Sequence, residues 1–432
     1  MKYLYTILIT LLTYSLSFSQ DTLYVIPEAS YPNFPNISAA LDSANSGDII
    51  LVSSGNYNED LIISKAVTIN PLIIESSYTI SGDIQFSSGG SSSNDSGPLI
   101  NSTIIGAIIY GGLSSVQTNC SYCGVFNLNF IDCIFYNSVN LKSTNIFFNS
   151  YYSIFYEKLT IRGFGDIIGN KFISSNAEKI EIWDGSQNYN FGGHEAKFFA
   201  NSLENFKIFL RGGGAYNMPS SLNISNNYFN VSENFTNFYF FQFYDAYVSP
   251  VFINNNTFNI NDNWESSGSL MYCYDQLELY LSFNNNIILS NTTDNTYENT
   301  LFSLDQELDF HFYNNIYNKN VSNFESCFKT GSGYALPNLI EENNYFVSDL
   351  NQNDIDSVGV CSSDYCLNKG VNLPEFRDIN NTLNDLGTFG GPHSWSNYHN
   401  GSGPKVIDIN IPSIIAPGMN ISINGKGVNI ND

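Results

Sequence analysis

The chain has 432 residues, of which 43% are hydrophobic, 15% aromatic and only 13% charged, about half the charged share of an ordinary globular protein. Asn fills the gap with 62 residues, beside 33 Phe and 29 Tyr; so many rings exclude a disordered segment, and so much of a poor helix former excludes a helical bundle. With 16 basic against 40 acidic residues, the net charge of −24 repels nucleic acid and anionic lipid, and repels acidic polysaccharides unless a metal or a local basic patch intervenes.

Met1 to Gln20 carries one Lys, an apolar run and then Ser-Phe-Ser-Gln, the pattern of a secretory signal peptide with cleavage near Ser19 or Gln20. No later stretch approaches the ~18 apolar residues of a spanning helix, so no transmembrane segment is expected. The mature chain is expected to be secreted, extracellular or at the cell surface.

Asn36 to Ala44 reads as a short amphipathic helix with Asn36 as N-cap. Then come Gly47-Asp48-Ile49-Ile50-Leu51-Val52, Gly55-Asn56-Tyr57, Leu61-Ile62-Ile63 and Val67-Thr68-Ile69. This series resembles the opening coil of right-handed parallel β-helix proteins, the pectate-lyase-like superfold of secreted bacterial proteins. In those proteins a short helix plugs the first coil, and a solenoid needs such a plug over its apolar end. The resemblance implies an all-β solenoid and says little about activity.

A repeat extends it. Pairs of Asn followed by a bulky residue occur at Asn226-Asn227, Asn255-Asn256, Asn285-Asn286, Asn314-Asn315 and Asn343-Asn344, the second Asn advancing by 29, 30, 29 and 29 residues. Looser copies lie at Gly169-Asn170 and Ala200-Asn201, and a diverged one at Asp132-Cys133. Short alternating segments flank each motif, as strands do. An Asn tolerates the left-handed bend between two strands, and its amide can bond the equivalent amide one coil away. The motif is therefore read as an internal Asn ladder, not a ligand site.

Aligning the coils on this motif gives a second column of polar residues at strand ends: Arg162, Asp184, Arg211, Asp245, Asp275, Asp305 and Thr330. Neighbouring coils lie about 4.8 Å apart, so Arg162, Asp184 and Arg211 are expected to alternate in charge. Asp245, Asp275 and Asp305 are expected to stack three like charges, which a bound cation would relieve; Ca2+ is the hard-oxygen candidate. Trp183, Tyr216, Tyr244 and Tyr274 lie near the column and are candidates to stack on sugar rings. The resemblance to pectate lyases implies calcium held by carboxylates of neighbouring coils and an Arg or Lys as base, which makes Arg162, Arg211 and Asp184 the catalytic candidates. The lyases' own runs, "W-x-D-H" and "R-x-P-x-x-R", are missing, as is "G-D-D" of polygalacturonases.

Asp385-Leu386-Gly387-Thr388-Phe389-Gly390-Gly391 resembles the closing segment of many secreted β-helix proteins. The solenoid is thus expected over residues 21–390, with a C-terminal β tail over 391–432. Of seven Cys, Cys361 and Cys366 are spaced to close a small loop, and Cys120 with Cys123 is a weaker pair; Cys273 and Cys327 are equally well read as buried thiols. Two functions remain. The first is a monomeric, non-catalytic protein binding a glycan or a partner along its flank. The second is a calcium-dependent lyase or other polysaccharide-degrading enzyme. The missing motifs and the scarcity of Arg favour the first.

Overall fold

The computed structural model describes residues 20–430 apart from 29, 31, 75, 89–99, 118–125, 184–194, 212–219, 233–237, 245–249, 261–268, 275–279, 291–301, 305–308, 319–327, 331–337, 349, 358, 374–375, 379–381, 400–402 and 411–423. The plug forms as the sequence dictates. Helix Ile37–Ser43 begins at Asn36, whose side chain accepts the Ala39 N–H. The Glu59 carboxylate takes the Ile37 and Ser38 N–H groups, and Lys65 Nζ caps the carbonyls of Leu41, Asp42 and Ala44. Charges of these signs suit the two ends of a helix. The Gly-Asp pair that follows has a mechanical role. Gly47 turns at φ +104°, and the buried Asp48 carboxylate accepts the N–H groups of Asp21 and Asn45.

Beyond the plug the chain winds into coils of three strands. One coil runs Ser221–Ser225, Tyr228–Val231 and Tyr239–Tyr244. The next runs Val251–Asn254, Thr257–Ile260 and Ser269–Tyr274, each strand pairing in parallel with its counterpart. The same stacking continues from Thr22–Val25 to Tyr345–Phe346. This is an all-β right-handed parallel β-helix, with the hand that parallel crossovers take. No helix among the described residues is long and apolar enough to cross a membrane.

The bend between the first and second strands is the recurring problem, and Asn solves it. Asn226, Asn255, Asn285, Asn314 and Asn343 all have φ between 53° and 60°. The following Asn points inward, and Nδ2 of each donates to Oδ1 of the next: Asn170 to Asn201, Asn227, Asn256, Asn286, Asn315 and Asn344, at 2.9–3.1 Å. Each Oδ1 also accepts the backbone N–H of the preceding ladder Asn. Upstream the ladder is continued by Ser153, which accepts from Cys133 N and donates its own N–H to Asn170. Phe rings stack beside it, as in Phe229, Phe258, Phe283 and Phe312 with centroids 4.9, 5.8 and 5.6 Å apart.

Asp132 occupies the same left-handed bend, φ 55°, and burial pushes its carboxyl up to about 6. The folded state thus prefers the protonated form, so this contribution is complete below the ordinary value near 3.8 and is lost as pH rises through about 6. Asp132→Asn, the residue later coils use, is expected to raise the melting temperature by about 1–3 °C at pH 8 and not at pH 4. Equal shifts at both pH values would show that burial of the charge is not the cause.

The last coil strand described is Tyr345–Phe346, and the described residues between 350 and 399 lie along the flank of the coils. Asn226 Nδ2 donates to the carbonyls of Thr388 and Gly390, Asn255 Nδ2 to Asn384 Oδ1, and Asn314 Nδ2 to Lys369 O. Leu386, Trp395 and Tyr398 share one buried apolar cluster with Tyr151, Phe199, Tyr228 and Ile287. This strap carries the Cys361–Cys366 disulfide. Cys133 and Cys273 are buried thiols, while Cys120, Cys123 and Cys327 lie outside the described residues. Gly403–Asn410 and Asn424–Ile430 form an antiparallel pair.

Candidate functional site

The third strand of each coil builds one outer face, and its register defines the site. Period-two alternation sends Ile161, Ile182, Leu210 and Phe243 into the core. The residue after each therefore faces out. The pairings are Arg162 to Trp183, Trp183 to Arg211, Arg211 to Tyr244 and, by backbone, Tyr244 to Tyr274.

This corrects the expected column. Trp183, not Asp184, stands between the two Arg, and Tyr244, not Asp245, follows them. Asp184, Tyr216, Asp245, Asp275 and Asp305 themselves lie outside the described residues. The strands leading to the last two are not equivalent either: Leu304, just before Asp305, pairs with Cys273, two residues before Asp275. A polar residue marks each strand end, whereas the core residue sets the register.

In the row that forms, cations lie over rings. The Arg211 guanidinium sits 4.5 Å from the centre of the Trp183 ring and 5.9 Å from that of Tyr244, and Lys142 Nζ lies 5.8 Å from Trp183. Such contacts fix a flexible cation in direction while leaving its in-plane N–H groups outward.

A parallel row was missed from the sequence. Lys158, Lys179 and Lys207 each stand just before an inward Leu159, Ile180 or Ile208, and Lys179 pairs with Lys207. Between the two rows, Thr160, Glu181, Phe209 and Gln242 pair in succession. Lys179 Nζ lies 4.9 Å from the Phe209 ring centre. The signal was present: Lys158-Leu-Thr-Ile-Arg162, Lys179-Ile-Glu-Ile-Trp183 and Lys207-Ile-Phe-Leu-Arg211 share one pattern.

The electrostatics follow from this crowding. The Glu181 carboxylate takes Lys158 at 2.5 Å and Lys179 at 3.2 Å. Burial pushes Glu181 up, but hydrogen bonds and charge from the two Lys outweigh it and leave the carboxyl below its ordinary range. Glu178 is raised, first by burial and then by Glu157, against the two Lys. Burial, and secondarily Lys179, lowers the Lys207 ammonium. Among the described residues Lys142, Arg162, Lys207 and Arg211 have no ion-pair partner, and no cluster of His, Cys, Asp or Glu could hold a metal.

The pairings define the class of protein, a parallel β-helix with a basic and aromatic strip on one face. No protein-family model matches the chain, and no curated protein matches it. Among solved structures it is similar to the crystal structure of pectate lyase Pel9A, with 11% identity and a TM-score of 0.36, covering 87% of this chain and 98% of that one. The fold assignment rests on the strand pairings and not on that likeness.

Proposed function

We propose that this is an exported, non-catalytic protein that binds carbohydrate along the outer face made by its third strands. The observation that carries the reading is the register of Arg162, Trp183, Arg211 and Tyr244 on successive coils, with Arg211 held over two rings. A row of donors and apolar rings on a stiff repeat suits an extended chain of sugars better than a compact ligand. The signal-like segment at Met1 to Gln20 supports export. A calcium-dependent lyase remains the other class; its metal candidates Asp245, Asp275 and Asp305 lie outside the described residues, so no geometry favours it.

The test is a polysaccharide panel read by calorimetry, with the tryptophan fluorescence of wild type and Trp183→Phe compared. Saturable binding whose fluorescence change vanishes in Trp183→Phe is expected. A panel without any binding would remove the reading. Unsaturated uronides, accumulating in the same mixtures when calcium is added, would replace it with the lyase.

A further inference from the structure

We propose that the strip recognises a linear anionic polysaccharide directly, without a bridging metal, through Lys142, Arg162, Lys207 and Arg211. The proposal rests on the carbohydrate-binding reading and adds the ligand's charge.

The distribution of charge points to it. The chain carries 16 basic against 40 acidic residues, yet six of the basic ones, Lys142, Lys158, Arg162, Lys179, Lys207 and Arg211, share a few neighbouring coils of one face. Two of these, Lys158 and Lys179, are satisfied by Glu181. The other four have no acidic partner among the described residues. Like charges on adjacent coils repel, and a fold that only needed solubility had acidic residues to spare for pairing them. The distant negative charge does not cancel the strip for a ligand in contact, because solvent screens exposed charges beyond about 8–10 Å.

The geometry fits anions repeated along a chain. The strip runs along the solenoid axis, and from the coil of Lys142 to that of Arg211 it spans about 14 Å. Arg211, held between Trp183 and Tyr244, presents its fork of N–H groups at little entropic expense, which suits a carboxylate or sulfate taken by two parallel bonds. Phe209 and Gln242, beside it in register, offer ring and amide to the uncharged parts of sugar units. An anion over Lys207 would offset the burial and the Lys179 charge that lower its ammonium, so affinity should weaken as pH rises. A nucleic acid shares the charge but not the context: a stiff duplex extends well past so short a strip and meets the acidic surface.

The experiment titrates the full chain with polygalacturonate and with dextran sulfate, each against its uncharged counterpart, carboxyl-reduced polygalacturonate and dextran, in EDTA and in parallel with calcium present. Duplex DNA is the control polyanion. Binding to one or both charged polysaccharides is expected, falling steeply as salt rises; which of them binds distinguishes carboxylate from sulfate. Arg211→Gln and Lys207→Gln should each weaken it about tenfold or more, with melting temperatures checked alongside. Should either fail to fold, the exposed Lys142→Gln serves. Equal binding of charged and uncharged polymers would overturn the anion proposal and leave the carbohydrate reading standing. Loss of binding in EDTA, retained affinity in all variants, or equal affinity for DNA would also overturn it. Silence from every polymer would overturn both.

Discussion

Asn286→Leu is expected to destabilise the chain by about 2–6 kcal/mol, visible as an early transition in urea and in heat. Asn286 is fully buried. Its Oδ1 accepts the Asn256 N–H at 2.9 Å and the Asn256 Nδ2 at 3.1 Å, and its Nδ2 donates to Ile253 O at 2.9 Å. Leucine keeps the volume and removes every one of these bonds. The Asn256 N–H is left in the core without its partner, at about 1–3 kcal/mol, while Asn256 Nδ2, the Ile253 carbonyl and Asn315 Oδ1 each lose one bond, at about 0.5–1 kcal/mol each. Asn286→Ser should lose less, since Ser153 holds the equivalent place upstream with its hydroxyl accepting the Cys133 N–H. A Leu variant as stable as wild type would show that the ladder is incidental to the fold.

Gly387→Val should release the strap while leaving the coils wound. Gly387 has φ +77°, and a Cβ there would come within 2.6 Å of both Ile287 Cδ1 and Thr257 Oγ1. Its N–H also holds Asn285 O at 2.9 Å. A β-branched residue in the left-handed region adds about 1–2 kcal/mol of strain to about 1–3 kcal/mol of overpacking, both borne by the docked strap. Peeling is the cheapest relief, because the parallel coil pairings do not run through the described residues of 350–399. Protease cleavage within 350–399 should speed up severalfold, with the β circular dichroism signal retained. Unchanged cleavage would mean that the strap tolerates the insertion, and that the glycine is not needed for docking.

The solenoid was legible because the same backbone problem recurs about every 29 residues and Asn answers it each time. Asn227, Asn256, Asn286, Asn315 and Asn344 lie on one internal ladder, as their spacing implied. The plug was legible too, since Asn36, Gly47 and Asp48 act on backbone groups within a few residues. Arg162 and Arg211 stand in one register row through Trp183. Their neighbours were misassigned by one residue, because Asp184 and Asp245 are the conspicuous polar residues while Ile182 and Phe243 decide which neighbour points outward.

Local chemistry written into the chain therefore determined the coil, its bend, its plug and the Cys361–Cys366 closure, each of which depends on residues close in sequence or repeated at fixed spacing. Only the tertiary structure decided the rest. Whether Trp183 or Asp184 meets Arg211 depends on the register between coils 28 residues apart, and a shift of one position exchanges a ring for a carboxylate. Where residues 350–399 go is set by an unrepeated surface, the bend amides of Asn226, Asn255 and Asn314 with the apolar row beside them. The basic strip emerges the same way: Lys158, Lys179 and Lys207 are scattered along an acidic chain until parallel pairing sets them side by side.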